Sequence, residues 1–170
     1  MRIEVNLDQK WSEVAYFYTS NPNAFEEVMK HVEGKDKRFD LLAMTCGELC
    51  TLIEGGVPES LRRMYDNCTL RQYCRLVRSI REGVRGFMSF LEKTTPPQTP
   101  LQRQSAIGLI DITMEESVLL TLKSFYNLHS LEDAQRMSVY EYMIARRSEY
   151  NRIAAEYNMN RIIEMRHGKR

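Results

Sequence analysis

The 170-residue chain has length for one compact domain or two small lobes sharing a core, and with 43% apolar residues it is too hydrophobic for a disordered segment. Its 24 basic and 23 acidic residues leave a net charge of +1, which excludes a surface built throughout for nucleic acid. No run approaches the roughly 18 apolar residues of a membrane span, and Met1-Arg2-Ile3-Glu4-Val5 contains no apolar signal core.

Taken in chain order, Ile3, Val5 and Leu7 alternate with polar residues, so residues 2–7 read as a short edge strand or an extended arm. An aromatic stretch, Trp11 to Tyr18, precedes a turn at Ser20-Asn21-Pro22. A helix is predicted from Asn23 to Gly34, whose missing side chain suits the left-handed residue after a helix end. With these, residues 1–44 form an N-terminal arm and helix.

From Thr45 the pattern turns firmly helical. Leu49, Leu52 and Ile53 share a face until Gly55-Gly56-Val57-Pro58 ends the helix, and a short helix follows over Glu59 to Tyr65. The helix from Thr69 is the clearest: Leu70, Tyr73, Cys74, Val77, Ile80, Val84, Phe87, Met88 and Leu91 make one stripe at three- and four-residue spacing. Gly83 and Gly86 within it suit a close backbone approach. Residues 45–93 thus form a first helical half, and 94–100, with Pro96, Pro97 and Pro100, a stiff spacer.

Residues 101–170 form the second half. Thr99-Pro100-Leu101-Gln102 is a possible helix opening with Pro at the first position. Ser117 to Leu128 is apolar almost all round and reads as a buried central helix. Ser130-Leu131-Glu132-Asp133 restarts a turn, and Ser138 begins a long terminal helix carrying Tyr142, Met143, Tyr150, Ile153, Ala154 and Tyr157 into a basic end, Arg161 to Arg170.

Four of these starts share one chemistry. Thr45-Cys46-Gly47-Glu48, Thr69-Leu70-Arg71-Gln72, Thr113-Met114-Glu115-Glu116 and Ser138-Val139-Tyr140-Glu141 all fit the capping box. In it a hydroxyl accepts from the amide three residues on, and the acidic or amide side chain reaches back to the cap's own amide. The spacing from Thr45 to Thr69 nearly equals that from Thr113 to Ser138. Tyr73, Arg78 and Ser79 fall in register with Tyr142, Arg147 and Ser148, as a duplicated helical unit would place them.

Catalytic chemistry has little to build on. Cys46 and Cys50 lie one turn apart inside a helix, away from any completing histidine, so with Cys68 and Cys74 they read as buried thiols in a reducing cytoplasm. His31, His129 and His167 are scattered and none neighbours a nucleophile in a known motif. Glu26-Glu27 and Glu115-Glu116 stand near helix starts, where carboxylates favour the macrodipole. The expectation is no catalytic residue, no metal, no cofactor and no small-molecule substrate.

Interaction surfaces are better supplied. Arg71, Arg75, Arg78 and Arg85, with Arg81 at the margin, follow one face of the Thr69 helix opposite its apolar stripe. Such a row can track phosphates or an acidic partner, although Glu82 and Glu92 interrupt it as they would an ordinary solvated face. On the terminal helix Tyr140, Arg147 and Asn151 point away from the Tyr142–Ile153–Tyr157 face, and Arg161, Arg166, Lys169 and Arg170 form a basic tail. Tyr, Arg and Met are the residues enriched at protein interfaces. Tyr140, Arg147, Asn151, Arg161 and Arg166 are therefore the interface candidates.

The second half, from Gln104-Ser105-Ala106-Ile107-Gly108-Leu109 through Glu116-Ser117-Val118-Leu119-Leu120 to Tyr140-Glu141-Tyr142 and Arg146-Arg147, resembles small helical proteins encoded among tailed-bacteriophage structural genes, including those of crAss-like phages infecting gut Bacteroidetes. The resemblance implies a ring, neck or tail-connector subunit of the virion below the portal, or a tail assembly chaperone. It carries over no catalytic residue. The expectation is a mainly α protein, a multi-helix bundle of two helical halves. It would act without enzymatic chemistry as a homo-oligomeric virion subunit made in the host bacterial cytoplasm, touching portal, tail or neighbouring ring proteins near DNA. An assembly chaperone and a nucleic-acid-binding regulator using the arginine row are the alternatives.

Overall fold

In the computed structural model, which describes residues 5–99 and 112–167, every one of the four capping boxes closes. At Thr113 the hydroxyl accepts from the Glu116 amide at 3.1 Å while Glu116 accepts from the Thr113 amide at 2.7 Å. Ser130 and Asp133 make a fifth box. These starts open a mainly helical chain: α1 (Trp11–Ser20), α2 (Pro22–His31), α3 (Cys46–Ile53), α4 (Glu59–Asp66), α5 (Leu70–Lys93), α6 (Met114–Tyr126), α7 (Leu131–Arg136) and α8 (Val139–His167). A 3-10 turn, Leu41–Ala43, precedes α3.

The helices gather into two compact units that alternate along the chain. One comprises Met1–Leu41 and Thr51–Gly86, the other Leu42–Cys50 and Phe87–Arg170. Both α3 and α5 therefore contribute residues to each.

In the first unit an aromatic cluster forms the core. Trp11 stacks on Tyr73 with centroids 3.5 Å apart and planes 9° from parallel, and Tyr18 and Phe25 surround the indole. Val28, Met29, Val32, Cys68, Leu70 and Cys74 complete the buried set. The aromatic stretch is thus a full helix, α1, and Pro22 occupies the first position of α2 rather than a turn before it. Gly83 lies so close to the Phe39–Leu41 stretch that a Cβ there would stand 3.3 Å from the Leu41 Cβ and Phe39 Cε1. The close approach expected of Gly83 is real, whereas Gly86, given the same expectation, has nothing within 4 Å of where its Cβ would stand.

The N-terminal strand is not formed: among the described residues no strand is present, and residues 5–10 lie against the start of α5 instead. The Leu7 carbonyl accepts from the Arg71 amide at 2.9 Å, and Leu7 packs on the aromatic core. Alternation alone makes no strand without a partner edge, and here the neighbouring backbone is a helix end with amides to offer. Residues 2–4 of that segment lie outside the described residues.

The second unit is centred on α6, which packs on α7 and α8. Val118, Leu119 and Leu122 are buried with Cys46, Leu49, Phe87, Ala134, Val139, Tyr142 and Ala145. The Phe87 and Tyr142 rings lie 5.8 Å apart. The helix predicted to be buried on all sides is in fact one-sided, since Leu120 and Phe125 stand 48% and 45% exposed.

Each unit contains the same clasp between two helix starts. In the first, the Trp11 amide donates to the Cys68 carbonyl at 2.9 Å and the Leu70 amide donates to the Gln9 carbonyl at 2.8 Å. In the second, the Cys46 amide donates to the Met137 carbonyl at 2.7 Å and the Val139 amide to the Met44 carbonyl at 2.8 Å. Lys10 faces Thr69, and Thr45 faces Ser138, each as an isolated antiparallel bridge. The first amides of a helix have no intrahelical acceptor, and here each start supplies the other's. All four first-turn side chains, Trp11, Leu70, Cys46 and Val139, are buried. The repeat therefore couples Thr45 to Ser138 and Lys10 to Thr69, a different pairing from the one that spacing suggested.

Candidate functional site

A short buried carboxylate holds the loop after α2. Asp36 accepts from the Arg38 amide at 2.9 Å and from its guanidinium at 2.6 Å, and donates its own amide to the Ser79 hydroxyl. Only 7% of its side chain is exposed. The Arg38 guanidinium, ahead of all other effects, holds the Asp36 carboxyl below its ordinary range. A group with a depressed folded pKa adds stability above the ordinary carboxylate range, and the contribution disappears as pH falls through the lowered value. Urea unfolding midpoints should therefore drop on acidification below pH ~4, with the usual carboxylate near 3.9. Asp36→Asn should flatten that part of the profile.

The arginine row spans the same unit, and most of it is engaged within the chain. Arg75 Nε donates to the Glu33 carbonyl at 2.8 Å, while Arg78 donates to the carbonyls of Met29 at 2.7 Å and Gly34 at 3.3 Å. These are carbonyls at and just beyond the end of α2, where the macrodipole is negative and donors are wanted. Arg81 binds both oxygens of Glu26, at 2.6 and 3.1 Å, and Arg71 meets Asp8 at 3.4 Å. Arg85 is exposed at the rim of a shallow hollow shared with Lys30 and Glu82. Glu82 in turn binds Lys35. The row works as a strap tying α5 to α2.

The cysteines divide between the units, Cys68 and Cys74 in the first and Cys46 and Cys50 in the second, all four buried. Burial, with Cys50 and Glu141 nearby, pushes the Cys46 thiol up to about 12; burial pushes Cys74 up to about 11 against the opposing effect of Arg78. The thiolate is the reactive form, so these are inert thiols. Iodoacetamide at pH 8 should leave Cys46 and Cys74 unlabelled in the folded chain and modify them once urea unfolds it. Rapid labelling of the native protein would contradict this burial. Among the described residues no three His, Cys, Asp or Glu side chains converge as a metal site, and no helix is long and apolar enough to cross a membrane.

The remaining surface of interest lies along α8. Its capping box aims Val139, Tyr142 and Ala145 into the second unit, with Ile153 and Tyr157 half-buried further on. Tyr140, Arg147 and Asn151 all lie exposed, Tyr140 at 56%, and Ile144 stands exposed among them. From Asn158 to His167 every residue of α8 is exposed. Arg161 and Arg166 lie here, together with Met159, Ile162, Ile163 and Met165. This end is therefore apolar as well as basic, a mix legible in the residues between Asn158 and His167 but not in the basic charge alone. Lys169 and Arg170 lie outside the described residues, as do Gln104–Leu109 and Pro100.

A second feature was invisible from sequence. A groove of about 620 Å³ runs between α6 and α8, with Leu120 and Phe125 on one wall and Arg146, Glu149 and Arg152 on the other. Arg152 binds Glu156 on its own helix at 2.9 Å. Compared with known proteins, the chain matches no protein family, no curated sequence and no solved structure.

Proposed function

We propose that the chain is a non-enzymatic structural subunit of a tailed-phage virion, forming a ring or connector between portal and tail by homo-oligomeric helix packing. The observation that carries this reading is the far end of α8. Its last ten residues hold Met159, Ile162, Ile163 and Met165 uncovered beside Arg161 and Arg166. Short helical segments gain most of their stability from packing, and clustered exposed apolar residues mark surfaces that become covered. Met and Arg are both enriched at protein interfaces. The resemblance of the second half to phage structural proteins supplies the setting, with portal, tail or neighbouring ring proteins as further contacts.

The same uncovered end also suits a tail assembly chaperone, which would cover a client transiently through it. The regulator reading is weaker, because Arg71, Arg75, Arg78 and Arg81 already have partners within the chain. Mass spectrometry of purified particles separates the first two: a connector remains in the mature virion, and a chaperone is absent from it. Light scattering of the isolated protein should show a closed oligomer that Ile162→Glu with Met165→Glu dissolves. Particles lacking the chain would overturn the connector reading.

A further inference from the structure

Two uncovered apolar surfaces of the second unit carry opposite charge. One is a side of α8 near its end, where Ala155, Met159, Ile162 and Arg166 recur at four-, three- and four-residue spacing and all lie exposed. The acidic residues of this stretch, Glu156 and Glu164, lie on the other side with Ile153 and Tyr157, lining a hollow beside Pro97 and Thr99. Arg161 stands at the border of the two sides. The second surface is a groove of about 410 Å³ between the start of α6 and α7, with the buried Leu119 at its base. Leu120 and Leu131 edge it, both exposed. Its rim is acidic: Glu115, Glu116 and Glu132 line it, and among the described residues no basic side chain does. Glu115 accepts from the Gln135 side-chain amide at 3.4 Å and Glu116 from the Thr113 backbone amide at 2.7 Å. Both donors are neutral, so the carboxylates keep their charge.

We propose that this groove receives the end of α8 from a second copy of the chain, head to tail. A helix laid in a groove is anchored through residues three, four and seven apart. Met159 and Ile162 cover Leu120 and Leu131, while Arg166 and Arg161 face the three carboxylates. Rim charges of this kind set orientation and partner more than affinity. The occupant is a second copy because the α8 end supplies both things the groove lacks, apolar cover and positive charge. Within one chain both surfaces stay exposed, so neither covers the other. Pairing two α8 ends with each other would leave the acidic groove uncovered. Contact between two different surfaces is heterologous: each copy added presents a fresh groove and a fresh helix end, until the rotation closes a ring. The inference rests on the homo-oligomeric reading above and names the two surfaces that would build it.

The test is complementation between two variants of the full chain, followed by light scattering. Leu131→Glu spoils the groove and keeps the α8 end; Ile162→Glu with Met165→Glu spoils the α8 end and keeps the groove. All three positions are exposed, so melting temperatures should not change. The wild type should form a closed oligomer and each variant alone a monomer. Mixed in equal amounts, the two variants should form a complex of one copy of each and go no further, because the mixture offers one intact groove to one intact helix end. Glu132→Arg alters only the rim charge and should weaken assembly about tenfold, with the difference closing at high salt. It replaces Leu131→Glu in the mixture if that variant melts early. A groove variant that still assembles like the wild type, or a mixture that stays monomeric, overturns the head-to-tail contact and leaves the homo-oligomer standing. A wild-type chain that is itself monomeric overturns both.

Discussion

Trp11→Ala should lower folding stability by about 3–5 kcal/mol, the range for truncating a buried aromatic to alanine. Domains of this size have only about 5–15 kcal/mol in total, so the variant sits close to unfolding at room temperature. The cost is large because the indole is the hub of its unit. It stacks on Tyr73 at 3.5 Å, and Tyr18 and Phe25 lie about 6 Å from it at 6.3 and 5.9 Å. Each such aromatic pair adds roughly 0.5–1.5 kcal/mol beyond the area it buries. Trp11 is also the first residue of α1, so it holds one side of a clasp while its ring fills the core. Urea denaturation followed by far-UV circular dichroism measures the loss, and Trp11→Phe should recover a good part of it. A change under about 1 kcal/mol, the level of an ordinary substitution, would mean that the stack does not organise the unit.

Val139→Pro should destabilise by about 2–4 kcal/mol, which is contrary to the usual rule. Proline is welcome at the first position of a helix, where the amide it lacks has no intrahelical partner. Here that amide donates to the Met44 carbonyl at 2.8 Å, within the reciprocal pair that includes Cys46 and Met137. Proline leaves the Met44 carbonyl unsatisfied, at about 1–3 kcal/mol, and sets its ring against a backbone in contact. Met114→Pro is the control. It occupies the same position in α6 behind the Thr113 cap, and it should change stability by only a few tenths of a kcal/mol, within the ±0.5 of a benign substitution. If both proline variants behave alike under thermal denaturation, the clasp contributes nothing beyond an ordinary helix start.

What the sequence made legible was the local chemistry. Thr45, Thr69, Thr113 and Ser138 could be read as caps because the partner of each hydroxyl lies three residues away. Lys10 could not be recognised as the fourth member of the two clasps, since it makes no side-chain cap and its role comes from Thr69 across the chain. The arginine row was visible as a helix face, but Arg75 and Arg78 turn to backbone carbonyls at and just beyond the end of α2, which carry no side-chain signature. Leu120 and Phe125 looked buried because the helix is apolar on most sides, and periodicity does not report how many neighbours arrive. Arg146 was an unexceptional residue until its Nε proved to be enclosed. Tyr140, Arg147 and Asn151 were correctly assigned to the outward face, since that follows from helical phase alone.

The clasps also impose an order on synthesis. Lys10 meets its counterpart once Thr69 has left the ribosome, whereas Thr45 lies inside that loop and waits for Ser138, far later in the chain. Closing the longer loop adds little equilibrium cost, because loop entropy grows only logarithmically, but it delays the contact. For that interval the nascent α3 carries Cys46 and Leu49 without the partners that bury them. The interval is the period in which a chain of this topology is most vulnerable to aggregation, and a stalled product ending before Ser138 would stay in it.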